Sequence, residues 1–366
     1  MAVSRLAILG TGLIGASIGL AAKRSGEIHV VGFDPDAQML ETALGREAVD
    51  EAAGSPEEAM ADADLAVVAA PVAQLAAQVA AALQAAPESC TVTDVGSTKE
   101  SVCAAAGGSP RFIGGHPVCG SEARGADHAS AKLFEGATWF LSPLPETDPD
   151  RYRLVHGFVS GLGATPVAVD PRAHDRLVSL TSHLPHALAN LLVNQAGASR
   201  VDGHEPLAAA GGSLRDMTRV AGANPRIWVD IFLDNADELQ GALSDHRRRV
   251  EQLESALAAG DAGFLARWIA EAAGNRRRML EREYPEPGEL QRLRVHIPDR
   301  PGVLAGITQA LGAERINIED FELHHFSPER GGVLTILVTG ESEARRASDL
   351  LEAQGYGVVI EPVFGE

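Results

Sequence analysis

The run Leu6-Ala-Ile-Leu9 followed by Gly10-Thr-Gly12-Leu-Ile-Gly15 constrains the fold more than any other stretch of this 366-residue chain. The apolar run reads as a short buried strand, after which Leu13, Ile14, Ser17, Ile18 and Ala21 recur at helical spacing. Strand, glycine turn and helix in that order open a doubly wound α/β unit. Gly10 permits the tight turn, Gly12 lets a pyrophosphate approach the backbone, and Gly15 lets the helix pack on the strand. The helix N-terminus attracts the phosphates, so Gly10, Thr11, Gly12, Leu13, Ile14 and Gly15 are candidate dinucleotide contacts. A bare glycine pattern is weak evidence. Here a second apolar run, His29-Val-Val-Gly-Phe33, ends in Asp34, 19 residues after Gly15. A carboxylate at that point accepts hydrogen bonds from the adenosine ribose diol and repels a 2'-phosphate, so the expected cofactor is NAD.

The alternation continues through Leu65–Ala69, a helix over 73–86, Cys90–Asp94, a helix over 98–106, and Arg111–Gly114. Strand alternating with helix predicts a parallel sheet covered on both faces, with ligands beyond the carboxyl ends of its strands. Ala70, Pro71, Ser97 and His116 all fall there, the first three as cofactor candidates. The stretch Phe112–Glu122 holds the candidate chemistry, because it sets His116 in a loop between an apolar run and a glycine-rich turn. An imidazole of ordinary pKa, about 6.5, accepts a proton at neutral pH, and activity should fall as it protonates below that value. A lone loop histidine is more often without a role; Ser97 supplies company. Its hydroxyl can cap the next helix in a Ser97-x-x-Glu100 box and still give its proton to a ring nitrogen of His116, fixing the tautomer.

Trp139–Leu141 and Thr165–Val169, around a helix over 149–162, close a first domain at residue 170. From 171 to 285 the pattern is helical, and its alanine- and leucine-rich helices suit dimerisation. Asp175, Ser179, Ser182 and His186 share one helical stripe with His183 on its border. A substrate-facing stripe is preferred to a metal site, since Pro185 bends the segment and no third ligand has suitable spacing. Arg215, Asp216 and Arg219 lie within little more than a turn, followed by Trp228. One arginine is expected to pair with Asp216 and the other with a substrate carboxylate. After a Tyr284–Gly288 linker the chain reads strand, helix, strand, strand, helix, strand, a ferredoxin-like unit over 291–366. Its first helix is expected to be N-capped by Asp299 with Pro301 near the first turn, and its second strand to start at Ile316.

A formal net charge of −19 and a pI near 5.0 argue against nucleic acid or an anionic membrane as partner. Three cysteines without paired spacing suggest neither a disulfide framework nor a zinc site, which fits a reducing cytoplasm. No apolar run approaches the roughly 20 residues of a membrane span, and no export signal is apparent.

In this order the segments resemble the prephenate/arogenate dehydrogenases of tyrosine biosynthesis that carry a C-terminal ACT domain. The resemblance covers essentially the whole chain and rests on GTGLIG at 10–15, ADLAVVAAPV at 63–72, DVGSTK at 94–99, GGHPVCGSEARG at 114–125, SHLPH at 182–186, LRDMTRVA at 214–221 with Trp228, and DRPGVLA at 299–305. It implies NAD(P)-dependent oxidative decarboxylation, with Ser97 and His116 acting on the ring hydroxyl; with NAD favoured by Asp34, the expected reaction takes prephenate to 4-hydroxyphenylpyruvate. His183, His186 and Arg219 would lie in the substrate pocket, with Glu122, Asp175, Ser182, Gly212, Arg215, Asp216 and Trp228 as further substrate candidates. Some relatives carry lysine where Arg215 stands. The resemblance also implies a homodimer through the helical domain and an amino-acid sensor, read as binding L-tyrosine through Asp299, Arg300, Pro301, Gly302, Val303, Leu304, Asn317 and Ile318. Arogenate as substrate stays open, as does a non-catalytic NAD or amino-acid sensor. A dehydrogenase of small β-hydroxy acids would usually place a lysine in the helical domain as its acid/base group and would leave the HPVCGSE loop unexplained.

Overall fold

Alternating side chains along β1 (Arg5–Leu9) already show how the larger sheet is covered: Leu6 and Ile8 enter one buried cluster, Ala7 and Leu9 another on the opposite face. The computed structural model describes residues 2–25, 27–119, 123–281, 289–327 and 331–363. These form two compact units that divide at Arg247.

In the first unit, β1 is followed by α1 (Leu13–Ser25), β2 (His29–Phe33), α2 (Ala37–Gly45), β3 (Glu51–Ala52), α3 (Pro56–Met60), β4 (Leu65–Val68) and α4 (Val72–Ala85). Then come β5 (Thr91–Asp94), α5 (Glu100–Ala105), β6 (Phe112–Val118), β7 (Thr138–Pro143), α6 (Pro149–Gly161) and β8 (Thr165–Ala168). The eight strands make one sheet in the order β3-β2-β1-β4-β5-β6-β7-β8. Every neighbouring pair is parallel except β6 and β7, which run antiparallel. The expectation of a wholly parallel sheet is therefore corrected at that pair. A parallel return needs a crossover element, and between β6 and β7 the described residues supply only a single 3-10 turn, Ala126–His128.

Beyond β8 the strands cease. α7 (Pro171–Val178) runs through a π turn (Ser179–His183) into α8 (Leu184–Ala198), and α9 (Gly212–Thr218) leads by a 3-10 turn (Arg219–Gly222) to α10 (Pro225–Asp234). α11 (Ala236–Ala259), within which the division between units falls, and α12 (Ala262–Leu280) complete the helical segment. Breaks stand where the turn residues predict them: Asp202 and Gly203 take positive φ, and the Asn224 side chain caps α10 ahead of Pro225. No helix of the described residues is long and apolar enough to cross a membrane.

The second unit carries β9 (Leu290–Ile297), α13 (Val303–Ala313), β10 (Asp320–Ser327), β11 (Gly331–Thr339), α14 (Glu341–Ala353) and β12 (Gly357–Pro362). Their antiparallel sheet has the order β10-β11-β9-β12, the ferredoxin-like arrangement the sequence predicts. Leu293, Val295, Leu334 and Ile336 pack there against Ile307, Leu311 and Leu351. Two local expectations are corrected. The second strand starts at Asp320, because the Ile316 amide still bonds back to Leu311 at 3.0 Å after the left-handed Arg315. The N-cap of α13 is Gly302 in the left-handed region, φ 89°, and not Asp299.

Candidate active site

The glycines after β1 divide into two kinds. A Cβ on Gly10, whose φ is +104°, would stand 2.2 Å from the Ala69 carbonyl oxygen, and one on Gly15 would stand 1.9 Å from the Gly10 carbonyl oxygen. A Cβ on Gly12 would meet nothing within 4 Å. Packing dictates the first two; Gly12 leaves open space against the backbone, as a phosphate needs. Asp34 is fixed from the same turn. Its Oδ2 accepts from the Thr11 amide at 2.7 Å and the Thr11 hydroxyl at 3.3 Å, and its Oδ1 accepts from the Asp36 amide at 2.9 Å. Oδ1 therefore keeps a lone pair for a ribose hydroxyl. Thr11 is buried and spends its polar groups on Asp34, so it acts through that carboxylate. Leu13 is buried, Ile14 and Ala70 are half-buried, and Pro71 is exposed just before α4. These residues fit an NAD molecule.

His116 lies in β6, opposite Phe140 of β7, and not in a loop. β6 pairs with β5 only through Phe112 and Ile113, and with β7 from Ile113 to Val118. The strand therefore outruns β5, and His116 still stands past β5's carboxyl end. Asp94, at that end, holds the overhang. Its Oδ1 accepts from the Gly115 amide at 2.9 Å, and its Oδ2 accepts from the Gly96 amide at 2.8 Å and pairs with the Lys99 ammonium. Both side chains of that ion pair are fully buried. A Cβ on Gly115 would stand 2.4 Å from the Asp94 carbonyl oxygen, so only glycine allows this approach.

A chain of polar contacts runs from His116 into α7. His116 Nδ1 lies 2.8 Å from His174 Nε2, and His174 Nδ1 lies 2.7 Å from Asp175 Oδ1. Asp175 Oδ1 also accepts from the Lys99 amide at 2.7 Å, and its Oδ2 from the Glu100 amide at 2.8 Å. A carboxylate from α7 thus caps α5. The expected Ser97 capping box does not form: α5 starts at Glu100 without a side-chain cap of its own, and half-buried Ser97 bonds neither Glu100 nor His116. Asp175 was expected to face substrate. Protein donors take both its oxygens, and it is only 2% exposed, so its role is in the scaffold. Burial, reinforced by His174, Lys99 and His183, holds His116 well below the usual histidine range. An acid limb set by this ring is therefore expected below the ordinary histidine value. His116 Nε2 has no partner among the described residues.

The π turn corrects the stripe drawn for an uninterrupted helix. Its extra residue rotates the side chains after it, so that His183 joins His174, Asp175, Val178 and Ser179 as buried residues, while Ser182 and His186 are half-buried. The Asn235 amide nitrogen stands 3.1 Å from His183 Nδ1 and donates to the Asp175 carbonyl at 2.8 Å. Burial pushes His183 down to about 4, against the pull of Asp175. Trp228 lies edge-on to His183, centroids 6.1 Å apart, and stacks on His186 at 3.4 Å. His186 Nδ1 is 3.3 Å from the Ser182 carbonyl oxygen. Gly212, Arg215, Asp216 and Arg219 are exposed on α9 and the turn after it. The expected Asp216–arginine pair is absent among the described residues, since α9 ends at Thr218 and Arg219 leaves the helical register. Glu122 lies outside the described residues.

Sequence reasoning missed His174, Asn235 and the Asp94–Lys99 pair. A signal existed for the pair, since Asp94 and Lys99 bound the DVGSTK motif, whereas Asp170-Pro171 announces only the helix in which His174 sits. Asn235 carried none. The three thiols are free, and burial pushes Cys90, Cys103 and Cys119 up to about 11, 12 and 11, which leaves no thiolate nucleophile. In the second unit Leu304 and Ile318 line an apolar cavity of about 120 Å³ with Ala305, Thr308, Phe321, Leu334 and Ile336. Asn317 there donates to Glu319 at 2.9 Å, Val303 is half-buried, and Asp299, Arg300 and Pro301 are exposed.

Three family models match the chain: the prephenate dehydrogenase nucleotide-binding domain over residues 18–168, the prephenate dehydrogenase dimerization domain over 170–271, and the ACT domain over 291–355. The prephenate dehydrogenase of Bacillus subtilis is 32% identical over 356 residues, 95% of each chain. Among solved structures, prephenate dehydrogenase from A. aeolicus in complex with hydroxyphenyl propionate and NAD+ is 27% identical, with a TM-score of 0.70 over 75% of this chain and 98% of that one. Arogenate dehydrogenase from Synechocystis is 28% identical, with a TM-score of 0.67 over 74% and 98%.

Proposed function

The chain belongs to the prephenate dehydrogenase family and carries that family's dimerization domain and an ACT domain, and from this premise we propose how its residues oxidise and decarboxylate prephenate with NAD. The observation that carries the mechanism is His116, tied at Nδ1, without a partner at Nε2 among the described residues, and standing past the carboxyl end of β5.

Prephenate bears a C4 hydroxyl, a ring carboxylate and a pyruvyl side chain. NAD, when bound along Gly12 and Asp34, supplies the hydride acceptor. His116 Nε2 takes the hydroxyl proton as C4 loses its hydrogen, which prevents a positive charge from building on that oxygen. The bond to the ring carboxylate then breaks, its electron pair makes the ring aromatic, and the proton on His116 returns to the phenol oxygen. No net proton is released, and aromatisation makes the step effectively irreversible. A neutral imidazole is needed, and burial keeps His116 in that form. His183, His186 and Trp228 form a wall against which a ring can lie, and the exposed arginines Arg215 and Arg219 suit the two carboxylates. Ser182, Gly212, Asp216 and Glu122 complete the proposed substrate set, and Ser97 remains a candidate partner of both hydroxyl and cofactor.

The first domain is taken as residues 1–170, the helical domain as 171–285 and the ACT domain as 291–366. Exposed Leu191, Met217, Val229 and Leu233 in the helical segment fit a second copy of the chain. L-tyrosine is the proposed ACT ligand and the cytoplasm the proposed compartment. An apolar cavity of about 120 Å³ is well below the roughly 300 Å³ of a small-molecule site, so one copy supplies only part of it. The family's arogenate dehydrogenase relative makes arogenate the second reading. Purified protein given NAD and either substrate, with NADH absorbance monitored, decides: prephenate is expected to have the larger kcat/KM, and turnover of arogenate alone reverses the assignment.

A further inference from the structure

We propose that His174 is a positioning residue that holds His116 in one tautomer, and that Asp175 sets the direction of this short relay. The inference rests on the reading of His116 as the base. Asp175 is a buried carboxylate whose Oδ1 lies 2.7 Å from His174 Nδ1, so that nitrogen carries a proton. A neutral ring with Nδ1 protonated presents a bare Nε2, which lies 2.8 Å from His116 Nδ1. With His174 neutral, His116 donates from Nδ1 and its remaining lone pair sits on Nε2. With the opposite tautomer, Nε2 would carry hydrogen and could not take the substrate proton.

Packing leaves little freedom to escape this polarity. His174 is fully buried, set edge-on against Phe140 at 5.3 Å, the residue paired with His116 across the sheet. Asp175 cannot turn away, because the same carboxylate holds the Lys99 and Glu100 amides at 2.7 and 2.8 Å. One acid therefore joins three things: the start of α5, the orientation of His174 and the tautomer of the base. Ser97 is not needed for the last.

The test compares His174→Phe, which keeps a ring and removes the acceptor, with His174→Gln, whose amide oxygen can accept from His116 Nδ1. Loss of the correct tautomer in a related arrangement costs up to about 10,000-fold. His174→Phe is expected to lower kcat by at least about 100-fold, with KM for prephenate and Kd for NAD within about twofold, and His174→Gln to restore at least tenfold of the loss. Nitrogen NMR of histidine-labelled full-length protein, with the His116 signals identified by their absence in His116→Asn, should show hydrogen on Nδ1 and a bare Nε2 in the parent. Hydrogen on Nε2 in the parent overturns the proposal even if His174→Phe fails to fold. If His116→Asn is inactive while His174→Phe keeps more than half the parent kcat, the base stands and the relay is wrong. An active His116→Asn removes the base and the relay together.

Discussion

At His116 one ring nitrogen is engaged and the other has no partner among the described residues, an asymmetry that suits the proposed base. Its sequence neighbourhood marked it, as the glycine pattern marked Asp34: Asp34 follows the end of β2, and His116 stands past the carboxyl end of β5. His174 could not be found that way. A buried histidine beside an aspartate near a helix start looks like any amphipathic helix, and its meaning comes from a contact 58 positions away along the chain. Ser97 illustrates the reverse error, because a capping box is a local pattern and a carboxylate from α7 supplies the cap instead. The lowered basicity of His116 has a direct consequence. Activity needs the neutral ring, which persists to lower pH when the pKa falls, so the acid limb of kcat/KM should lie below pH 6.5, the ordinary histidine value. A limb at or above 6.5 would mean that the ring is more solvated than the structure shows.

At the scale of elements, the strand–turn–helix start, most helices of the first unit and the βαββαβ order were legible, because each rests on periodicity and turn chemistry. β6 was legible only in its first half. Gly114, Gly115 and Pro117 read as loop residues, yet the chain stays extended there because β7 pairs with it and Asp94 holds the Gly115 amide. The π turn was likewise invisible, since one inserted residue leaves no mark in composition, though it decides that His183 and not Ser182 is buried. The two sorts of glycine should behave differently when replaced by alanine. Gly115→Ala puts a Cβ 2.4 Å from a backbone oxygen and should cost about 1–3 kcal/mol as overpacking does, seen as a lower Tm without ligand. Gly12→Ala fills open space, so its Tm without ligand should match the parent while NAD affinity falls. Equal NAD affinity in parent and Gly12→Ala would place the pyrophosphate elsewhere.

Across the whole molecule, the order of a nucleotide-binding domain, a helical domain and an ACT domain could be read from changes of period along the chain. What a second copy adds could not, because no pattern within one chain records the surface of its partner. Deleting everything after Pro287 should leave a catalytic protein that has lost tyrosine inhibition, whereas in the intact chain tyrosine should shift apparent substrate affinity by about 5- to 150-fold, the usual span of coupling between sites. Identical inhibition curves for the two would place tyrosine in the active site as a near-product and leave the ACT domain without that role. Whether His116 is the base for an NAD-dependent oxidation of prephenate is decided by His116→Asn, measured beside the parent for NADH production and for binding. Its kcat should be lower by roughly 100- to 10,000-fold, with Kd for NAD and for prephenate nearly unchanged; a variant that keeps more than about half the parent kcat rules His116 out as the base.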